Sequence, residues 1–184
     1  MAFTAQYGAF NVEASFNDFF RKNITGGQGL PTWINTAYFS ASGVNFNYPE
    51  KQLTYPCYSI TPLSLLDAPF SPAGGRGGSA LRVKYLMVDV SCWASRRTTA
   101  VGLNASVRRD VLQLRDMAVS IMESAKNYIP ILDYYSEGLT ATTVLGSLRL
   151  NRVEEVNMPP DVDPAVRRRR LVATYNFAEL WSPN

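Results

Sequence analysis

The 184-residue sequence contains no histidine and only two cysteines, Cys57 and Cys92. Without histidine, neither a serine–histidine nor a cysteine–histidine nucleophile pair can form, and no imidazole is present to bind a metal. Two cysteines are too few for a closed zinc site. Cys92 falls on the apolar face of a predicted strand, so we expect a buried, reduced thiol there. These absences do not exclude carboxylate chemistry.

Charge is also scarce in this sequence. Charged residues make up 18% of the chain against 46% hydrophobic residues, and the net charge is only +3. This composition is typical of a globular protein that presents polar and aromatic surface to a partner, and the small charge does not by itself indicate nucleic-acid binding. No apolar run approaches the roughly 20 residues of a membrane span, and Met1–Phe10 lacks the regions of a signal peptide. The expected location is the cytoplasm, or a particle assembled there.

The clearest pattern runs from Leu81 to Ile129 and predicts a long strand followed by a long amphipathic helix. Every second strand position is apolar, which indicates one buried face. These positions are Leu86, Val88, Val90, Cys92 and Ala94. The helix is expected to begin near Asn104 and to end near Tyr128, before Pro130. Its apolar stripe, at steps of three and four, consists of Val107, Val111, Leu114, Ala118, Ile121 and Ala125.

A helix and a proline-rich region precede this pair. Asn11 is expected to cap a short helix that ends at Gly26 and Gly27. Its apolar stripe comprises Val12, Phe16, Phe19 and Phe20. Gln52–Thr61 alternates loosely around Pro56, which predicts an edge strand. Pro62–Ser79 is rich in proline and glycine and lacks the lysine and hydroxyl of a phosphate-binding loop, so it predicts a long projecting loop.

The last third of the chain predicts a strand hairpin. Ile131–Gly138 is expected to be a connection, and Thr142–Val156 and Leu171–Trp181 alternate as strands. A turn rich in proline and aspartate, Asn157–Pro164, separates them. Because the run Arg167–Arg170 lies beside that turn, the tip of the hairpin is expected to be exposed and charged.

Together these elements predict one α+β domain, residues 1–184, with the Pro/Gly-rich loop at 62–79. A mostly antiparallel sheet would carry one long and one short helix packed on one face, and the chain would close with the long strand hairpin. Helices segregated to one face of such a sheet make a two-layer α+β sandwich.

Two groups of arginines are the candidate partner or subunit contacts. The first group, around the start of the long helix, consists of Arg96, Arg97, Arg108 and Arg109. Positive charge there opposes the helix dipole, a cost that a subunit contact would offset. The second group consists of Arg167, Arg168, Arg169 and Arg170. It suits an acidic partner surface, DNA phosphates in a channel, or a solvated hairpin base whose arginines alternate between faces.

The carboxylates do not predict an active site. Glu154 and Glu155 are neighbours on a strand and so point to opposite faces, and Asp161 and Asp163 fit turn chemistry. Asp89 and Ser91 share a strand face, but no base accompanies them. The sequence therefore predicts no catalytic residue, no metal site and no cofactor.

In order and pattern, Val12–Trp181 resembles the tail-terminator, or tail-completion, proteins of long-tailed bacteriophages. The resemblance is carried by a short first helix, the stretch Leu53-Thr54-Tyr55-Pro56-Cys57, and the strand Tyr85–Trp93 that leads into a long helix. The closing phrase Leu171-Val172-Ala173-Thr174-Tyr175-Asn176-Phe177 is similar to the family's last strand. The loop at 62–79 and the wide turn at 157–166 exceed the compact pattern of the family.

The resemblance implies a structural virion protein and not an enzyme. It implies a ring, usually of six subunits, that caps the tail tube, stops its polymerisation and docks the head connector or stopper protein. DNA would pass through the lumen without sequence-specific binding, and assembly would take place in the host cytoplasm.

Three alternatives stay open at this point. A head-completion protein of the neighbouring neck layer has a similar pattern. A small carboxylate-based enzyme would place Asp89 or Glu154 in a concave pocket. A nucleic-acid-binding module would use Arg167–Arg170 and lose affinity steeply with salt.

Overall fold

The computed structural model describes residues 7–26, 44–46, 56–67, 80–95, 107–124, 128–156 and 166–181. Within these ranges the chain has an α+β fold. Its helices are α1 (Gly8–Gly26), α2 (Val107–Ser124) and the short α3 (Tyr134–Glu137), which runs into a 3-10 turn at Gly138–Thr140. Its strands are β1 (Val44–Phe46), β2 (Cys57–Asp67), β3 (Ala80–Ser95), β4 (Ile129–Leu132), β5 (Val144–Val156) and β6 (Val166–Trp181).

The described strands form one mostly antiparallel sheet in the order β1-β2-β3-β6-β5-β4. Only β1 and β2 pair in parallel. The last strand, β6, lies between β3 and β5 and pairs antiparallel with both. The last two strands pair with each other as predicted, and β6 lies in the middle of the sheet with β3.

Strand β3 confirms the predicted alternation and extends it. Its even positions from Leu86 to Ala94 are all buried in the core. The odd positions Asp89, Ser91, Trp93 and Ser95 are also buried, so the expectation of a half-buried strand is wrong for this end of β3. The polar side chains tolerate burial there because arginines and hydroxyls of the neighbouring strands bond them.

The core lies between the sheet and one layer of helices. Phe16 and Phe20 of α1 pack against Tyr175 and Tyr58 of the sheet, with ring centroids 5.2 and 5.4 Å apart. On α2, Leu114 accepts a hydrogen bond from the Tyr58 hydroxyl at 2.8 Å through its carbonyl oxygen. Every member of the predicted α2 stripe that the structure describes is buried, namely Val107, Val111, Leu114, Ala118 and Ile121. Both long helices thus cover the same face of the sheet.

Helix α1 begins earlier than its sequence suggests. It starts at Gly8, and Asn11 is a buried residue inside it and not its N-cap. The Asn11 side chain donates to Asp133 Oδ1 at 3.4 Å and accepts from the Tyr135 N–H at 3.1 Å. A tertiary partner has replaced the local capping bond. With 19 residues against the 18 described for α2, α1 is not short, so the predicted contrast between the helices is wrong.

The proline-rich region contains more strand than predicted. Strand β2 continues through Pro62 to Asp67, and the pairing with β3 shifts register between Pro62 and Ser64. An irregularity of this kind tolerates the missing N–H of proline. At Tyr58–Ile60 the strand has neighbours on both sides, so it is not an edge strand there. The predicted connection 131–138 likewise contains the end of β4 and helix α3. The rest of the predicted loop, 68–79, and the turn at 157–165 lie outside the described residues.

Tyr175 offers a test of this core. Its side chain is fully buried, yet its hydroxyl has no hydrogen-bond partner among the described residues. An unsatisfied buried hydroxyl costs about 1–3 kcal/mol, so Tyr175→Phe is expected to raise the free energy of unfolding by about 1 kcal/mol. Urea unfolding followed by circular dichroism measures the change.

The matched control is Tyr58→Phe. The Tyr58 hydroxyl does have a partner, the Leu114 carbonyl oxygen, so its removal is expected to lower the free energy of unfolding by about 1 kcal/mol. Two substitutions of the same chemistry should therefore act with opposite sign. Equal losses in both variants would contradict the described burial of Tyr175.

Candidate functional site

The arginine run lies inside strand β6 and not at a hairpin tip. Its members pair across the ladder with β3, Arg167 with Ala94, Arg168 with Trp93, Arg169 with Cys92 and Arg170 with Ser91. The predicted charged tip itself, 157–165, lies outside the described residues, while the run belongs to the paired strand. As strand geometry requires, alternate arginines point to opposite faces of the sheet.

Arg168 and Arg170 point to the face opposite the helices, which we call the outer face. They meet Asp89, Ser91 and Trp93 of β3, and these five residues form the Asp89 cluster. The Arg170 Nε–H donates to Asp89 Oδ2 in a short hydrogen bond. Arg168 donates to Ser91 Oγ at 2.7 and 3.1 Å, and its guanidinium carbon lies 4.6 Å from the centre of the Trp93 ring.

The polar groups of the Asp89 cluster bond to one another or to a neighbouring strand. The Ser91 hydroxyl donates to Asp89 Oδ1 at 2.8 Å while it accepts from Arg168. The Trp93 indole N–H donates to Ser59 Oγ on β2 at 3.0 Å. Charge-assisted bonds of this kind are stronger than neutral ones. The arrangement holds β2, β3 and β6 in register, and it occupies both oxygens of the Asp89 carboxylate.

Arg169 points to the helix side and joins a second ion-pair group. Its Nη1 lies 2.8 Å from Glu155 Oε1 on β5, and the Nε of Arg115 on α2 lies 3.2 Å from Glu155 Oε2. Arg115 also contacts Asp116 at 2.5 Å. One carboxylate therefore ties α2, β5 and β6 together.

The remaining candidate arginines divide into two sets. Arg167 and Arg108 are exposed, and neither forms an ion pair with another residue that the structure describes. Arg96 and Arg97 lie outside the described residues, as does the side chain of Arg109. Among the predicted contact residues whose side chains the structure describes, Arg108 and Arg167 are exposed and outside the ion pairs given above.

The carboxylates considered for an active site do not come together on one surface in the described part of the chain. Glu154 forms an exposed pair with Arg152 at 3.0 Å, away from Glu155, and Asp161 and Asp163 lie outside the described residues. A groove of about 530 Å³ lies at the other end of the sheet, lined by residues that include Tyr7, Gly146 and Arg149. Neither Asp89 nor Glu154 lines it.

The cysteines and acidic groups do not form a metal site in the described part of the chain. Within it, no set of three or more cysteine, aspartate and glutamate residues is placed to hold a metal ion. Cys57 and Cys92 are buried and not disulfide-bonded, which confirms the expectation for Cys92. Burial raises the pKa of Cys57 to about 12 and also raises the pKa of Cys92, so both stay as thiols at neutral pH.

A second feature stands at the end of the sheet where β4 and β5 join, and we call it the 133–144 turn. Asp133 accepts from the Ser136 N–H at 3.1 Å, which caps α3, and donates its own N–H to the Thr143 carbonyl at 3.1 Å. The Glu137 carboxylate accepts from the N–H groups of Thr142 and Thr143 at 2.5 and 3.0 Å. These bonds fold the turn back on α3 although its side chains are mostly exposed.

Glu137 makes the order of this turn dependent on pH. Its bonds to Thr143 and Thr142 lower the pKa of the carboxyl to about 2. A depressed pKa contributes stability above the unfolded-state value of about 4.3. That contribution is lost as the pH falls to about 2. The protection factors of the Thr142 and Thr143 amides, measured by hydrogen exchange and corrected for the intrinsic pH dependence of exchange, are expected to fall through this window.

Glu137→Gln supplies the comparison for this prediction. The variant lacks the titrating charge, so the protection factors of these two amides should start lower and stay flat between about pH 4.3 and 2. Wild type and variant should converge near the lower limit. Parallel profiles for the two proteins would show that the carboxylate does not hold the turn.

Four apolar side chains protrude from this part of the molecule, and we call them the apolar end. Leu139 is 99% exposed, Tyr135 71%, Val144 61% and Phe10 52%. The Phe10 and Tyr135 rings lie 5.2 Å apart, which joins α1 to the 133–144 turn. Exposed apolar side chains grouped in this way often mark an interaction surface.

Sequence reasoning missed the apolar end because it treated residues 131–138 as a connection. The available signal was the presence of Tyr135 and Leu139 in a stretch without a core period. Their grouping with Phe10 depends on the docking of α1 against α3, which no local pattern reveals.

None of the helices in the described ranges combines the length and apolarity needed to cross a lipid bilayer. Among known proteins, no protein-family model matches the chain and no curated protein matches it significantly.

Proposed function

We propose that this protein is a structural subunit of a bacteriophage particle, a tail terminator. In this proposal its copies form a ring, of six subunits by the family resemblance, that caps the tail tube and ends tube polymerisation. The ring joins the tube to the head connector or stopper protein, and DNA passes through its lumen without sequence-specific contacts. Assembly takes place in the host cytoplasm, and the mature location is the tail or neck of the virion.

The observation that carries this proposal is the apolar end. A folded domain that leaves Leu139, Tyr135, Val144 and Phe10 in solvent carries a surface suited to burial against another protein. The internal bonds of Asp133 and Glu137 hold that surface in a defined shape. A preformed surface loses less conformational entropy on binding.

The order of elements also supports the proposal, because the family resemblance depends on a helix, a strand, a second helix and a closing hairpin in that order. Helix α1 precedes the sheet, β3 leads into α2, and β5 and β6 close the fold. A head-completion protein of the adjoining neck layer has the same structural role and remains the nearest alternative. The two roles differ in which of two neighbouring layers the ring occupies.

The arginines support a protein contact more than a DNA contact. In the run, Arg168 and Arg170 bond to the Asp89 cluster and Arg169 pairs with Glu155. Arginines engaged with carboxylates are less able to neutralise phosphates. Arg167 and Arg108 remain exposed and are compatible with an acidic partner surface.

Electron microscopy of intact particles tests this proposal. We expect sixfold density between connector and tube into which the fold fits, with β3 and β6 at the centre of the sheet of each subunit. A conditional mutant that lacks the protein should yield tails of uncontrolled length or heads without tails. Density in the neighbouring neck layer, away from the tube end, would assign the head-completion role. A particle without this chain would refute both structural roles.

A further inference from the structure

The two ends of the sheet differ in charge. In residues 7–16 and 128–146, which surround the apolar end, the charged side chains are Glu13, Asp133 and Glu137, and lysine and arginine are absent. Glu13 lies one helical turn beyond Phe10 on α1, so the two side chains are neighbours on the helix surface. The apolar end is therefore bordered by negative charge.

The opposite end of the sheet carries an excess of positive charge. Strand β5 begins with Val144 at the apolar end, and its last residue, Val156, pairs with Arg170. Arg167 lies beyond that pair, at the far end of the sheet. Near the run, the positive charges of Arg115 and Arg167–Arg170 outnumber the carboxylates that pair with them, which are those of Asp89, Glu155 and Asp116. Arg167 is exposed there.

We infer that the apolar end is a docking surface for a second copy of this chain, which meets it with the arginine-bearing end that includes Arg167. Because the two surfaces lie at opposite ends of one sheet, the contact is head to tail. A head-to-tail contact generates a ring when its rotation closes. This inference rests on the proposed function and specifies the contact that the ring would use.

Sedimentation equilibrium tests the contact with purified full-length protein. We expect the fraction of associated protein to rise with protein concentration, measured up to about 1 mM, a concentration at which even weak complexes form. Leu139→Ser and Arg167→Glu should each raise the dissociation constant at least about tenfold, a loss of about 1.4 kcal/mol. Leu66→Ser is the matched control, since Leu66 is an exposed leucine of β2, 52% accessible, outside the apolar end. Urea unfolding should be unchanged in all of these surface variants.

A mixture of the two defective variants separates head-to-tail from symmetric contacts. The Leu139→Ser protein keeps its arginine end, and the Arg167→Glu protein keeps its apolar end. In a head-to-tail contact the mixture regains one interface and forms a dimer that cannot extend. A symmetric contact would regain no association. The double variant Glu13→Lys with Arg167→Glu should recover association, because the exchanged charges attract again.

Two results would overturn the inference. One is a wild-type protein that stays monomeric at the highest concentration. The other is association that survives Leu139→Ser but not Leu66→Ser, which would place the contact elsewhere or assign the apolar end to a different partner. If association follows the expected pattern but virions lack the protein, the proposed function fails and the contact stands. If virions contain a ring whose contacts avoid Leu139, the contact fails and the function stands.

Discussion

Replacing Asp89 by alanine is expected to lower the free energy of unfolding by about 2–4 kcal/mol, because it leaves buried guanidinium groups without their carboxylate. The Asp89 side chain is 8% exposed, that of Arg168 11% and that of Arg170 28%. The partial exposure of Arg170 puts the expected loss below that of a fully buried pair. Urea unfolding monitored by tryptophan fluorescence is a direct measurement, because Trp93 belongs to the same cluster.

Two further substitutions give this prediction its controls. Asp89→Asn keeps an acceptor for the Ser91 hydroxyl but removes the charge, so its loss should fall below that of alanine. Glu154→Gln removes the carboxylate of an exposed pair and should change the free energy of unfolding by less than about 1 kcal/mol. If Asp89→Ala proved as mild as Glu154→Gln, the described ion pairs would not stabilise the fold.

Phe16→Ala is expected to lower the free energy of unfolding by about 3–5 kcal/mol, the usual cost of emptying a phenylalanine site in a core. Phe16 is 1% exposed and packs against Tyr175 and Phe20. The cavity would open between α1 and β6, where the helix layer meets the centre of the sheet. Chemical denaturation measures the loss, and hydrogen exchange should show faster exchange across α1.

Phe10→Ala is the matched control, because it removes the same side chain from the same helix. Phe10 is 52% exposed, and its removal should cost less than about 1 kcal/mol of stability. It should instead weaken the association of copies through the apolar end. A large loss of stability in both variants would mean that α1 buries the face that carries Phe10.

The sequence predicts best where one period extends over many residues. The alternation of apolar residues in β3 and the apolar stripe in α2 each mark the face that packs between the sheet and the helices. The residues on those faces are therefore identifiable without any tertiary knowledge. The same holds for Leu171, Ala173, Tyr175 and Phe177 of β6, which are buried as a set.

The sequence predicts poorly where a distant partner decides the outcome. Asn11 is a good N-cap by its chemistry, but Asp133 and Tyr135 bond its side chain within the helix. The arginine run appears solvated until its pairing with Asp89 of β3 and Glu155 of β5 is known. Strand order and the gathering of the apolar end are likewise properties of the tertiary fold, and local propensity does not contain them.

The position of β6 between β3 and β5 has a consequence for synthesis on the ribosome. All the other strands precede β6 in the chain, so the pairs β2–β3 and β4–β5 can form while the centre of the sheet is still missing. Until β6 emerges, β3 and β5 each present an unpaired edge, and Asp89 lacks its arginines. Open edges of this kind pair readily with neighbouring nascent chains.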